Sequence, residues 1–250
     1  PAGAAYGRTR AMLKIQDGCN NFCTYCVIPY TRGRIRSLPL EEMARPAAHL
    51  AAEGYRELVF TGIEISSWGG QVCRHFHLSL QSGCDRTLAR MNRKYNTAEF
   101  LACVERLRRY FPGCALTADM ITGFPGETEA DQAAAVAFLE RVGFAAVHVF
   151  PYSRRPGTKA DAMPEQLSHA VKSARAHEAQ RVADACKQRY LVQQVGQTLP
   201  VLFETEHDGS WVGHSDNYCL VRAAGDDLRG LVKNVKISAV SGQMLVGDLV

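Results

Sequence analysis

The stretch Gln16–Ser37, "QDGCNNFCTYCVIPYTRGRIRS", places three cysteines within eight residues and then three arginines within five. Cys19, Cys23 and Cys26 have the spacing C-x3-C-x2-C, directly after the apolar run "AMLKIQ" (11–16). Three thiolates so placed can hold three irons of a 4Fe-4S cluster and leave the fourth iron open to an outside ligand. An open iron implies reaction as well as electron storage. A zinc site short of its fourth ligand, or three unrelated cysteines, is the other reading; structural zinc usually draws on two C-x2-C elements, and the chain has no second one.

Working outward, apolar runs alternate with helical stripes as far as about residue 194. "RELVFTG" (56–62), "HFHLSLQ" (75–81), "CALTADMI" (114–121) and "AAVHVFPY" (145–152) read as buried parallel strands. Phe100, Val104, Leu107 and Phe111 follow a 3.6-residue period after an N-cap expected at Thr97. Thr128 with Asp131 forms a capping-box pattern before the Phe138, Leu139, Val142 stripe, which Gly143 closes. A helix over 40–53 is less secure, because Pro46 would kink or delay it. The repeated βα pattern predicts an α/β fold with a parallel sheet or barrel. A helix over about 164–194 leads to Gly196. Beyond it, short strands divided by "HDGS" and "AGDD" predict a small all-β barrel of the oligonucleotide-binding kind. One interval is abnormal: only "IEISSWGGQVCR" (63–74) separates two expected parallel strands. That is the lower limit for a crossover, as if a unit had been removed.

The chain of 250 residues is 46% hydrophobic, enough for a substantial core. No apolar run approaches the roughly 18 residues of a membrane span, and no leader pattern precedes a cleavage site, so a soluble cytoplasmic protein is expected, without a membrane partner. Nine cysteines in a chain of this size fit a reducing compartment better than a disulfide framework. Charge is uneven. Residues 1–36 carry six basic side chains against one acidic, whereas 195–250 carry four against seven. Attraction for a polyanion should therefore centre on the cysteine segment. Arg32, Arg34 and Arg36 beside the cysteines are placed to hold RNA phosphates, which position a substrate without choosing its base; Arg90, Arg93 and Lys94 could extend that track. Cys103 and Cys114 lie in core-forming segments and are expected to be buried.

The cysteine spacing, with Tyr25 before the last cysteine, resembles the radical S-adenosylmethionine (SAM) enzymes. In that family the open iron chelates the amino and carboxylate groups of SAM, and an electron cleaves the sulfonium to a 5′-deoxyadenosyl radical. "HLSLQSGCDRTLARMNRKY", "ITGFPGET" and "YSRRPGTKA" narrow the resemblance to the methylthiotransferases, and the C-terminal segment resembles their TRAM module. The wording "QDGCNNFCTYC" and "LQSGCD...RMNRKY" is closest to the branch acting on threonylcarbamoyladenosine beside the tRNA anticodon; branches acting on isopentenyl-adenosine or a ribosomal protein are similar.

The resemblance implies an incomplete parallel (β/α) radical SAM barrel over 1–163, a connecting helix over 164–194 and a TRAM-like, OB-like RNA-binding β-domain over 195–250. It implies a 4Fe-4S cluster on Cys19, Cys23 and Cys26 and SAM contacts at Tyr25, Gly62, Ile63, Gln81 and Gly123. Gly126, Tyr152, Arg155 and Thr158 are further candidates for the cofactor or substrate edge. tRNA and an electron donor such as flavodoxin or ferredoxin are the implied partners, with aromatic RNA contacts such as Trp211 and Tyr218 in the β-domain. Two departures are expected. The family's N-terminal domain, with a second 4Fe-4S cluster, should be absent, because the chain starts 18 residues before Cys19; so should a third barrel strand between Gly70 and Val72. A cluster- or RNA-binding remnant without turnover is the competing reading.

Overall fold

The computed structural model describes residues 10–61 and 73–250. β1 (Arg10–Lys14) leads into a two-residue strand, β2 (Gln16–Asp17). The cysteine loop follows, then a single helical turn, α1 (Ile28–Arg32), and β3 (Arg36–Ser37), which pairs antiparallel with β2. Neither α1 nor the β2–β3 ribbon is legible in hydrophobic periodicity, since both are too short to show one. α2 (Leu40–Ala52) continues through Pro46. Proline there removes one backbone donor and costs about 3 kcal/mol in an unsupported helix; burial of Met43 and Leu50, two turns apart, offsets it.

β4 (Glu57–Thr61) pairs in parallel with β1, from Arg10 opposite Glu57 to Lys14 opposite Thr61. A second parallel sheet holds β5 (His75–Gln81), β6 (Ala115–Thr122) and β7 (Ala146–Pro151), with β6 central. Between them run α3 (Asp85–Arg90), α4 (Thr97–Tyr110) and α5 (Glu129–Val142). The N-cap of α4 is Asn96, not Thr97: the Asn96 side chain accepts from the Glu99 amide while Glu99 reaches back to the Asn96 amide. The Thr128–Asp131 capping box of α5 is present, and Gly143 ends the helix in a left-handed conformation. Leu80, Leu116, Ala118, Leu139 and Phe144 fill the core between sheet and helices. Cys114 is buried as expected, but Cys103 of α4 is exposed, at the cleft that Cys23 also lines.

α6 (His169–Val192) packs on α5 and β7, starting five residues later than the sequence pattern suggests, with Ser168 as its cap. β8 (Thr198–His207), β9 (Ser210–Ser215), β10 (Leu220–Ala223), β11 (Val232–Ser241) and β12 (Met244–Leu249) then close into a five-stranded barrel in the order β10-β12-β11-β8-β9. Its core of Leu199, Val201, Phe203, Val221, Ile237 and Leu245 runs on into Tyr190 and Leu191 of α6 and into Ala115 and Ala145, at the starts of β6 and β7. Trp211 belongs to this core and is 6% exposed, so it offers no ring face to RNA. Arg10 to Glu204 at 3.2 Å and a bidentate Arg74–Asp216 pair at 2.7 and 3.1 Å fix the barrel to the starts of β1 and β5.

Among the described residues β4 pairs with β1 and β5 with β6, and the two do not pair with each other. The proposed missing unit, with Gly62 and Ile63, falls outside the described residues.

Candidate functional site

The cysteine loop sits at the C-terminal ends of the parallel strands, where open α/β sheets carry their ligands. Gly18 explains how the arginines come to lie beside the cysteines. Its φ is +76°, and a Cβ there would lie 2.1 Å from the Arg34 carbonyl oxygen. Only glycine lets the two backbones cross so closely. The Cys19 amide donates to the Gly33 carbonyl at 3.1 Å, and the Asn20 side chain accepts from the Ile35 amide at 3.2 Å. The β2–β3 ribbon thus sets the exposed Arg32, Arg34 and Arg36 alongside the cluster motif. Asp17, the one acid in this segment, bonds Lys14 at 2.7 Å and Arg32 at 3.4 Å; the Lys14 bond and the Gly18 amide lower its pKa to about 2.

Each of the three sulfurs accepts an N–H. The Asn21 amide donates to Cys19 Sγ at 3.5 Å, the Ile28 amide to Cys26 Sγ at 3.5 Å, and the Arg93 guanidinium to Cys23 Sγ at 3.1 Å. Such donors stabilise thiolates and tune the potential of a cluster they hold. Among the described residues, no three His, Cys, Asp or Glu side chains converge on a point that a single metal ion would occupy. A 4Fe-4S cluster takes one thiolate per iron, and each of the three cysteines offers one sulfur with its own N–H donor.

Arg93 is therefore turned inward rather than along a phosphate track. Its remaining donors go to Tyr95 Oη at 3.1 Å and the Ser79 carbonyl at 3.3 Å, and its guanidinium lies over the Tyr95 ring. Burial works against its charge, but Tyr95, Tyr25 and Cys23 outweigh burial and raise its pKa. No spacing rule pointed to this role; the pairing of Arg93 with Cys23 spans 70 residues. Arg90 donates to the Pro125 carbonyl at 2.9 Å, while Lys94 is exposed and bonds Asn92 Oδ1 at 2.8 Å. A cleft of about 370 Å³ opens here, bordered by Asn21 and Cys23 on one side and Ser79 and Arg93–Tyr95 on the other.

Tyr25 packs edge-on to Phe124 at 6.5 Å, in a small apolar cluster with Met91, Tyr152 and Ala160. The structure thereby joins the cysteine loop to the turn after β6. Burial raises the Tyr25 pKa. In that turn the Gly123 amide donates to Glu127 at 2.8 Å, and Glu127 also meets Arg175 of α6 at 2.8 Å. Gly123 has φ +68°, and a Cβ there would lie 2.6 Å from Lys172 Cγ. The close approach at Gly123 is thus made by α6. The Gly126 Cβ position is likewise taken by Arg90. Gln81 ends β5 half-buried at φ +64°. Tyr152 is buried, Arg155 is exposed, and the Thr158 hydroxyl donates to the Arg155 carbonyl at 2.8 Å as part of a turn.

Phe22 and Tyr30 were not singled out by sequence. Phe22 has φ +48°, rare for a non-glycine residue; the Asn92 amide fixes its carbonyl at 3.0 Å. Its ring meets Tyr30 edge-on at 5.7 Å, and both are exposed.

A parallel α/β sheet with a three-thiol loop at its carboxyl end defines the radical SAM class, and residues 13–72 and 64–139 match the Radical SAM superfamily. The chain is 34% identical to the threonylcarbamoyladenosine tRNA methylthiotransferase MtaB of Bacillus subtilis (strain 168), over 92% of the chain and 62% of that protein. It is 33% identical to MtaB of Chlamydia pneumoniae, over 98% of the chain and 69% of that protein. The chain belongs to the methylthiotransferase family of radical SAM proteins. A tRNA-2-methylthio-N(6)-dimethylallyladenosine synthase of Maricaulis maris (strain MCS10) is also 34% identical, over 96% of the chain and 64% of that protein. The chain thus spans about two thirds of the length of these relatives. The alignment with the Bacillus protein runs over 282 positions, more than the 250 residues of the chain, so that relative carries residues with no counterpart here. In fold, the chain resembles the radical SAM methyltransferase TsrM from Kitasatospora setae, with a TM-score of 0.52 at 17% identity over 61% of this chain and 38% of that one.

Proposed function

We propose that this chain is the radical SAM portion of a tRNA methylthiotransferase, adding a methylthio group to threonylcarbamoyladenosine next to the anticodon. The observation that carries the reading is the trio Cys19, Cys23 and Cys26, each sulfur already facing one N–H, with a row of exposed arginines pressed against it by Gly18. When bound, the 4Fe-4S cluster supplies the electron that opens the sulfonium of SAM. The three cysteines hold it, and Arg93 places positive charge beside Cys23. Tyr25, Gln81, Gly123 and the strand end at Gly62 and Ile63 border the SAM site, and the cleft beside Cys23 has small-molecule size. Arg32, Arg34 and Arg36 hold tRNA phosphates. The five-stranded barrel is a TRAM-like RNA-guiding domain over 195–250, joined by the helix within 164–194 to a partial radical SAM barrel over 1–163. An electron donor such as flavodoxin or ferredoxin and a cytoplasmic location complete the reading; among the described residues no helix is long and apolar enough to cross a membrane.

Anaerobic reconstitution with iron and sulfide, then incubation with SAM, dithionite as reductant and sulfide as sulfur source, tests it. The expected product is 5′-deoxyadenosine, lost on Cys23→Ala. Nucleoside digests of added tRNA should gain the methylthio mass on threonylcarbamoyladenosine rather than on dimethylallyladenosine. A second reading, a cluster-holding chain without turnover, is favoured by the lack, among the described residues, of any pairing between β4 and β5. Cluster uptake with no SAM cleavage would select it.

A further inference from the structure

We infer that Phe22 and Tyr30 form a stacking seat for an unpaired base of RNA, with Arg34, Arg36 and Lys94 holding the flanking phosphates. The inference rests on the RNA reading above and names the side chains that would grip a single strand at the cluster.

Phe22 is 43% exposed and Tyr30 66% exposed, although each has a ring that burial would favour. Their planes meet at 76°. In such an edge contact, the ring that presents its edge keeps both faces free for a planar partner. The pair is also held in place. Asn92 bonds the Phe22 carbonyl through its amide nitrogen and accepts from Lys94 Nζ through its oxygen, so one side chain fixes an aromatic and a cation together. Arg34 and Arg36 are exposed on the adjoining β2–β3 side.

Aromatic faces interleaved with cations are the means by which single strands are bound without a base code. A duplex, whose bases are already stacked, offers phosphates but no free base face. An acidic carrier protein would be held by the cations, and one that carries a flavin also presents a planar ring, so the binding test distinguishes it from RNA. Phe22 lies between Cys19 and Cys23, and Tyr30 four residues after Cys26, so a base seated there lies against the cluster loop.

The test is fluorescence anisotropy of a labelled anticodon stem-loop RNA with the anaerobically reconstituted chain, across a salt series. Tyr30→Leu and Phe22→Leu should each weaken binding roughly tenfold, with the salt dependence unchanged and the iron content retained. Arg34→Gln should instead flatten the log–log salt slope by about 0.7. A fully paired RNA of equal length should be insensitive to the leucine variants. Leucine variants that bind the stem-loop like the parent while Arg34→Gln loses affinity would overturn the seat alone. The seat is equally overturned if lost affinity tracks lost iron in both variants, or if the leucine changes weaken an acidic flavoprotein and spare RNA. Should the parent chain show no salt-dependent affinity for RNA, the RNA reading itself fails.

Discussion

At the scale of single residues, Gly18 and Arg93 decide the site. Gly18→Ala would set a methyl group 2.1 Å from the Arg34 carbonyl oxygen on a backbone at φ +76°. The two strands of the ribbon must then part. The expected result is loss of most cluster absorbance after reconstitution together with weakened RNA binding, because one crossing holds both features. Arg93 acts through charge. Replacing it with glutamine removes a cation 3.1 Å from Cys23 Sγ and makes electron uptake less favourable. A potential lowered on the order of 59 mV corresponds to a tenfold change in the one-electron equilibrium, and redox titration followed by electron paramagnetic resonance reads it directly. Sequence spacing identified the cysteines because their ligand pattern is local. It could not identify Arg93, whose partner lies 70 residues away and whose charge suggested a surface role.

At the scale of elements, the caps and strand ends carry separable energies. Thr128 accepts from the Asp131 amide, and Asp131 accepts in return from the Thr128 amide at 2.8 Å while pairing with Arg86. Thr128→Ala should cost about 1 kcal/mol, seen as a lower urea midpoint with an unchanged slope. On β5, His75 shares the Thr117 hydroxyl with His77, which also meets Asp119, and stacks on Tyr218 at 4.9 Å; His214 and Arg10 adjoin the same tyrosine ring. Burial, followed by repulsion from His77, lowers the His75 pKa from 6.5 to about 4. Between those values the unfolded chain binds the proton and the folded chain does not. Its contribution is therefore fully present above pH 6.5 and is lost as pH falls toward 4. His75→Phe keeps the stack and removes the titration, so its urea midpoint should fall less than the parent's between pH 7.5 and pH 5.

At the scale of the whole molecule, the barrel and the cysteine loop occupy opposite ends of the parallel strands. Ala115, Ala145, Arg74 and Arg10 meet the barrel at strand starts, whereas the cysteines, Gln81 and Gly123 lie at strand finishes. A strand of eight residues separates them by about 26 Å, so an RNA touching both must reach along the length of the parallel strands. Tyr190 ties the parts together: its hydroxyl donates to the Gly113 carbonyl at 2.8 Å and accepts from Asn217 at 3.0 Å. Among the described residues β4 and β5 each have a single strand neighbour, which should show in hydrogen exchange. Amides of 57–61 and 75–81 should exchange faster than those of 115–122, whose strand is paired on both sides.

What the sequence determined by itself was whatever is encoded locally: the thiol spacing, the strand runs, the capping box at Thr128 and the change to short strands after Gly196. Each depends on residues within a few positions of one another. The tertiary structure alone decided the rest. Trp211 turned into the barrel core, Cys103 turned outward, Phe22 was held strained beside Tyr30, and Arg93 was brought to Cys23. Those outcomes depend on which surfaces meet when the elements pack, and a face that is apolar or charged in sequence does not record what it will be pressed against.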